Sequence, residues 1–541
     1  MIKAITATLT QNCITVISAI LIVNPASTWL SGQALDLSNA TISDINDAFD
    51  EGTLTSERLV ELYLARIEAY ENKGPRLNAL ITLNKNALEI ARGLDEERRA
   101  TGPRSLLHGI PVVLKDNVDT QDMATTAGSI LLKGSMPPND AFIVTKLRRA
   151  GAIILGKTNM SEFASGVTIS SIDGPMFNPH DLNRTPSGSS GGTGVAIAAS
   201  FSQLGIGTDT GGSVRGPSSS NGIAGLKPTH GLISRDGIVP LALSFDMAGP
   251  MARHIFDVAA MLGVMTGVDP NDPATEKSAG MLENDYTKHL DPSALEGARI
   301  GVARDFLGYD PEVDWIIEAS LEAMRNAGAT IVTVHYPSWL LEAKAEFYTT
   351  IRWREFKDQI ENYLATLDSQ YPRTLKEMVE MSQKFLASPE QGERTNPTRW
   401  SLFQQELNSG SLQDYDYLAM ANHGIPLVRE ILRGLLEQKG LDAIVYPTSP
   451  RRPGLLGEDR GSSSPDPAVS ATNLANLSGF PDLIVPAGFT SNGLPVGISF
   501  FGLPFSEPTL FGLGYAFEQI TKARRDPVHT PPLPGERIPC A

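Results

Sequence analysis

Short, unbroken apolar runs alternate along this chain with longer stretches of helical periodicity, and that alternation constrains the fold more than any other feature. The apolar runs predict strands over 110–114, 152–155, 299–303, 330–335, 443–446, 483–485 and 496–501. Between them the pattern shifts to a 3.6-residue period. Leu59, Val60, Tyr63, Leu64 and Ile67 share one face behind Thr55, a capping residue. Further helices are predicted over 86–99, 141–150, 312–327, 341–364, 428–438 and 508–522. Strands and helices in alternation predict an α/β sheet covered on both faces. Residues 340–440 are mostly helical and aromatic, which predicts a helical lobe added to the sheet. Stretches at 269–274 and 446–466, rich in Pro, Gly or Ser, read as connectors.

A chain of 541 residues, 41% hydrophobic and 20% charged, can bury a large core. Its net charge of −16 opposes a general attraction to nucleic acid or anionic lipid, both of which need clustered positive charge. Cys13 and Cys540 are the only cysteines, too few for a disulfide scaffold or a cysteine-based zinc site. No two of the eight histidines lie within five residues of each other, so a helical H-E-x-x-H metal motif is absent. At the N-terminus, Lys3 precedes the apolar run ITVISAILIV (14–23), and small residues follow up to Ala34. That order predicts a signal peptide over 1–34 and export to the periplasm or medium, the alternative being a buried N-terminal strand or helix of a cytoplasmic protein. Ten apolar residues are too few to span a bilayer, so no stable membrane insertion is expected after its removal. A cut after Ala34 removes Lys3 and leaves a mature chain of charge −17 with one cysteine.

Two motif matches fail on context. Gly151 to Thr158 fits the P-loop pattern letter for letter, but its variable residues Ala, Ile, Ile and Leu favour a strand and they follow a predicted helix. Gly188 to Gly192 fits the nucleophile elbow G-x-S-x-G around Ser190, yet the polar, proline-broken segment before it delivers no strand. A third constellation is longer. Leu114-Lys115-Asp116-Asn117 ends an apolar run, Ser187 to Gly192 forms a small-residue loop, and Gly207 to Ser213 reads GTDTGGS. Ser213 follows two glycines, so successive N–H groups can approach a ligand unobstructed, as an oxyanion hole requires.

HGIPVVLKDN (108–117), PSGSSGG (186–192), GTDTGGSVRGPSS (207–219) and GIAGLKPTHG (222–231) resemble the successive motifs of the amidase signature family. The 24-residue interval from Ser189 to Ser213 is similar to the family's spacing between bridging serine and nucleophile, and the likeness runs on through 248–262 and 473–502. It is weakest in the helical lobe. The blocks most resemble peptide amidases and related bacterial amidases. One departure is Thr210-Gly211-Gly212-Ser213 where peptide amidases have Thr-Asp-Gly-Ser. The resemblance implies a mixed, largely central β-sheet and a single amidase signature domain over 35–541, with the lobe at about 340–440 inserted.

It also implies a Ser-Ser-Lys triad: Ser213 as nucleophile, Ser189 as bridging serine in a cis peptide, and Lys115 as base. Thr210, Gly211, Gly212 and Ser213 are expected to supply backbone N–H groups to the oxyanion, and Asp209 and Arg215 to pair and stiffen the loop. Lys115 must be neutral to take a proton, which asks for a pKa roughly three units below the ordinary lysine value, about 4 kcal/mol. Asp116 is expected to point away from it, and His108 to be structural. The implied activity is an amidohydrolase that cleaves a linear carboxamide C–N bond through a seryl acyl-enzyme, with no metal or cofactor. Its expected partners are small-molecule or peptide amides, with no nucleic acid, in a monomer or homodimer. The competing readings are an A-type subunit of glutamyl-tRNA amidotransferase and a non-enzymatic binding protein on the same scaffold.

Overall fold

The computed structural model describes residues 34–387, 394–457 and 470–539. The proposed signal segment up to residue 33 and both cysteines lie outside them. Fifteen strands occur among the described residues: β1 (Ala34–Asp36), β2 (Leu80–Leu83), β3 (Pro111–Lys115), β4 (Ile153–Thr158), β5 (Ile169–Ser170), β6 (Gly174–Pro175), β7 (Leu204–Asp209), β8 (Ala224–Lys227), β9 (Met247–Ala252), β10 (Arg299–Ala303), β11 (Thr330–Val334), β12 (Ala443–Pro447), β13 (Asp482–Phe489), β14 (Pro495–Phe501) and β15 (Arg537–Pro539). Eleven of them form one sheet in the order β11-β10-β12-β14-β13-β8-β9-β7-β3-β4-β2. Two parallel blocks, β11-β10-β12 and β7-β3-β4, flank an antiparallel centre, and the edge strand β2 adds antiparallel to β4, so the sheet is mixed as expected.

Every residue of β3, β4, β7, β8, β9, β12 and β14 is buried. Successive side chains point to opposite faces, so full burial means that both faces are covered. Helices Gly191–Ala198, Ile255–Met265, Pro311–Asn326 and Glu507–Thr521 supply much of that cover. The amphipathic helix predicted from Thr55 spans Ser56–Ile67, with Thr55 accepting the Arg58 N–H as its cap and Leu59, Val60, Tyr63 and Ile67 buried.

Four strands of the sheet escape sequence reading: β2, β7, β8 and β9. Glycine and proline depress strand propensity in LGIGTD and MAGPMA, and here the reason is tight packing. A Cβ on Gly205 would lie 2.6 Å from Thr193 Cγ2 of helix Gly191–Ala198, and one on Gly249 would lie 2.2 Å from the Leu226 carbonyl oxygen. Small residues are needed where neighbours come this close.

The stretch at 269–274 is a tightly bonded turn rather than a loose connector. Arg235 forms an ion pair with Asp272, and Ser234 Oγ bonds Asp269. The second stretch, 446–466, is described only as far as residue 457.

The lobe contains helices Ser338–Leu364, Leu375–Ala387, Pro397–Leu407, Tyr415–Ala419 and Ile425–Gln438. The long helix Ser338–Leu364 ties the lobe to the sheet's loops. Its Arg352 Nη1 donates to Ser165 Oγ at 3.0 Å, and its Glu355 accepts the Ser244 N–H at 3.0 Å. Phe356 from this helix stacks on Phe403, and both meet Phe163 edge-on.

Candidate active site

Strands β3 and β7 lie side by side in parallel, with Leu114 opposite Ile206, so their C-terminal ends bring Lys115 and Thr208 together. Lys115 is completely buried. Its Nζ lies 2.6 Å from Ser189 Oγ, 2.8 Å from Thr208 Oγ1 and 3.2 Å from the Thr208 carbonyl oxygen. A neutral amine has two N–H donors and one lone pair. With both N–H groups on Thr208, the lone pair faces the Ser189 hydroxyl, the arrangement a base needs. Asn117 Nδ2 donates to the same Thr208 hydroxyl at 3.0 Å and holds it in place.

Burial pushes the Lys115 pKa down to about 7, against the opposing pull of Asp209 and Asp246. The neighbouring carboxylate does turn away. Asp116 accepts from Thr126 and from the Gly128 N–H at 3.2 Å, with Lys157 3.8 Å from its other oxygen.

The peptide bond Gly188–Ser189 is cis. The Ser190 N–H donates to the Ser213 carbonyl at 3.2 Å, which ties the Ser189 loop to the Ser213 loop. Ser213 sits half-buried on the turn between β7 and helix Arg215–Ser220. The two glycines before it are required by close neighbours. A Cβ on Gly211 would lie 2.7 Å from Tyr348 Oη, and Gly212 has φ +131° with Thr472 Oγ1 2.5 Å from the same position.

Asp209 is the organiser of this turn. Its carboxylate accepts the N–H groups of Gly212 and Val214, both at 2.9 Å, and pairs with Arg215 at 3.0 Å. Burial alone would raise the Asp209 pKa, but the Arg215 guanidinium and these donors hold it well below the usual carboxylate range. The expected Asp209–Arg215 pair is therefore present, and one oxyanion expectation changes. The Gly212 N–H is committed to Asp209, so Gly212 shapes the turn rather than donating to a ligand. Among the described residues the N–H groups of Thr210, Gly211 and Ser213 remain uncommitted.

Residues that sequence reading left without a role complete the site. Arg215 also donates to Asp482 and to the Thr472 carbonyl, both at 2.8 Å, and to Asn476. Tyr446 Oη donates to the same Asp482 oxygen at 2.6 Å. Thr472 Oγ1 donates to the Gly211 carbonyl at 2.8 Å, and Thr210 Oγ1 donates to Asp246 at 2.5 Å. Asn476 and Asp482 fall in the 473–502 block, so the resemblance marked their segment but not their task. Asp246 falls in the stretch 234–253, which also resembles peptide amidases, and Tyr348 is one of the lobe's aromatics, but neither signal marked a task.

Arg215→Met is expected to leave Asp209 and Asp482 buried without their cation. A loss of about 3–5 kcal/mol in stability should follow, together with lost turnover, read by denaturant unfolding and an amidase assay. Unchanged stability would mean that the two carboxylates find other partners.

The misleading motifs are structural. Lys157 of the P-loop match is buried in β4 and bonds Thr125 Oγ1 at 2.8 Å. Ser190 of the elbow match bonds the Thr208 backbone at 3.2 Å through both its acceptor and its donor. His108 Nε2 lies 2.9 Å from the Leu94 carbonyl oxygen, a structural contact as expected.

A central mixed sheet with a buried amine–hydroxyl pair beside a glycine-rich serine loop is the frame of a hydrolase acting on amide bonds. The family profile described as Amidase matches residues 58–511, and the chain belongs to that family. The native peptide amidase of Stenotrophomonas maltophilia superposes with a TM-score of 0.81 at 37% identity, over 91% of this chain and 99% of that one. A probable amidase of Arabidopsis thaliana is 34% identical over 94% of this chain and 95% of its own length. The A-type subunit of the glutamyl-tRNA(Gln) amidotransferase of Halorhodospira halophila is 37% identical over 89% of this chain and 97% of its own.

Proposed function

We propose that the chain works alone as an amidohydrolase, with Ser213 as nucleophile, Ser189 as proton bridge and Lys115 as base. One observation carries the reading: a completely buried lysine, its pKa pushed down to about 7 by burial, whose Nζ is 2.6 Å from a serine hydroxyl. Neutral Lys115 takes the Ser189 proton as Ser189 takes that of Ser213, and the freed Ser213 oxygen attacks the carboxamide carbon. The N–H groups of Thr210, Gly211 and Ser213 are the donors left for the oxyanion. The proton returns by the same route to the leaving nitrogen, which departs as ammonia or an amine. A water molecule activated along that route then cleaves the acyl-enzyme.

The rate should depend on pH through Lys115. Its neutral fraction grows as pH rises past about 7, so kcat/KM is expected to climb tenfold per unit below that point and level off above it. A profile flat from about pH 5 to 9 would rule Lys115 out as the base.

The likeness to the amidotransferase component supports a second reading, in which the chain acts only within a partner complex. The purified chain, given simple amides without ATP or other subunits, separates the two. Ammonia release supports the stand-alone hydrolase, and strict dependence on added subunits supports the other. We also propose export through the segment ending at Ala34, to be tested by N-terminal sequencing of protein from the periplasm or medium.

A further inference from the structure

We propose that Phe163 is a positioning residue, through which the helical lobe keeps Ser189 within reach of Lys115. The lobe grips its ring, the ring holds turn 161–165 in a backbone conformation it would otherwise leave, and the turn bonds the segments that carry the bridging serine and the base. The inference deepens the amidohydrolase reading and rests on it.

Phe163 and Ala164 both have positive φ, +47° and +54°. Residues with a Cβ rarely adopt that region, and two in succession persist only where the surrounding structure dictates them. Here the lobe does so. The buried Phe163 ring meets Phe356 at 6.4 Å and Phe403 at 5.5 Å, edge-on to both. The residues around it are held as well. Glu162 Oε1 accepts from Trp400 Nε1 at 3.0 Å, and Ser165 Oγ accepts from Arg352 Nη1 at 3.0 Å. Phe356 and Arg352 come from helix Ser338–Leu364, and Trp400 and Phe403 from helix Pro397–Leu407, so the grip belongs to the lobe. Glu406 ties the two helices together by pairing with Arg352 and Arg399, and the Arg399 guanidinium lies over the Phe356 and Phe403 rings.

The other side of the turn faces the triad. The Ser161 N–H donates to the Ser189 carbonyl at 3.0 Å, and Ser161 Oγ would lie 2.5 Å from a Cβ on Gly188. The Phe163 N–H donates to the Ala127 carbonyl at 2.8 Å, and the Ala127 N–H donates at 3.0 Å to the carbonyl of Asp116, the neighbour of Lys115. One turn therefore touches both segments whose side chains meet at 2.6 Å between Lys115 Nζ and Ser189 Oγ. Misplacement of reacting groups on the order of 1 Å costs about a hundredfold in rate. A turn that relaxes when the lobe loosens its grip draws Ser189 away from the base.

The test removes one ring of the clamp. In Phe403→Leu, kcat on a simple amide such as benzamide, per Ser213 counted by end-point fluorophosphonate labelling, is expected to fall about tenfold with KM within about twofold. A role in folding alone would lower the number of reactive sites and leave the rate at each unchanged, and that result would overturn the proposal. Placed in Ser189→Ala, where a water molecule carries the proton, the same change should cost less than about twofold, because the contact it disturbs is already gone. Equal tenfold losses in both backgrounds would also overturn it. Trp400→Phe, which removes the donor to Glu162 and keeps an aromatic ring, should move the same way by less, and it takes over the test should Phe403→Leu not fold. Should the native chain hydrolyse no simple amide, the amidohydrolase reading fails separately, and a crystal structure of the variant decides this one. Lys115 Nζ and Ser189 Oγ parted beyond about 3.5 Å supports it, and the native separation of 2.6 Å sinks it.

Discussion

Ser213→Ala is expected to abolish amide hydrolysis, with kcat lowered by ~10⁴-fold or more, while the fold and substrate binding persist. The hydroxyl is the atom that forms the acyl-enzyme, and alanine offers nothing in its place. Stability should change little, because the turn is held by Asp209 through the Gly212 and Val214 N–H groups rather than by the Ser213 side chain. Ser189→Ala should lose less, since a water molecule in the vacated space can carry the proton between Lys115 and Ser213. Measuring ammonia release and the acyl-enzyme mass for both variants checks the assignment. Residual turnover in Ser213→Ala within about a hundredfold of the native rate would place the nucleophile elsewhere.

Lys115→Met is expected to lower kcat by ~10³-fold or more and to change the pH dependence of stability in a defined direction. The folded-state pKa of about 7 lies below the ordinary lysine value of 10.5. Between those two pH values the unfolded chain binds more protons than the folded one, so this group makes stability rise with pH across the window. Below about pH 7 its burial costs the fold roughly 5 kcal/mol; above about 10.5 that cost is gone. Methionine is an unbranched chain one atom shorter than lysine and removes the charge. The native protein should therefore gain more stability between pH 7 and 10 than Lys115→Met does. Lys227, the other buried lysine brought down to about 7, is common to both proteins and cancels in the comparison. Identical pH dependences would mean that Lys115 is not desolvated as its position requires.

Much of the architecture was legible because the signals are local. The strand expected over 299–303 is β10, Arg299–Ala303, and the apolar face of the helix after Thr55 is buried as its spacing requires. The strands that carry or flank the Ser213 loop, β7, β8 and β9, were not legible, since their glycines answer to a helix and to neighbouring backbone that approach from elsewhere in the chain. Gly212 is a similar case. Its place before a serine reads as an oxyanion donor, and only the folded turn shows that Asp209 already holds that N–H.

By itself the sequence determined the α/β class, the membership in a family of amidases and the short set of residues worth testing. Those follow from periodicity and motif spacing, which a few neighbouring residues express. Tertiary structure alone decided that Lys115 is stripped of water, that Arg215 reaches a second carboxylate 267 positions away at Asp482, and that Tyr348 hangs over Gly211. Desolvation and close approach between distant segments are products of packing, and no local pattern encodes which segments will meet.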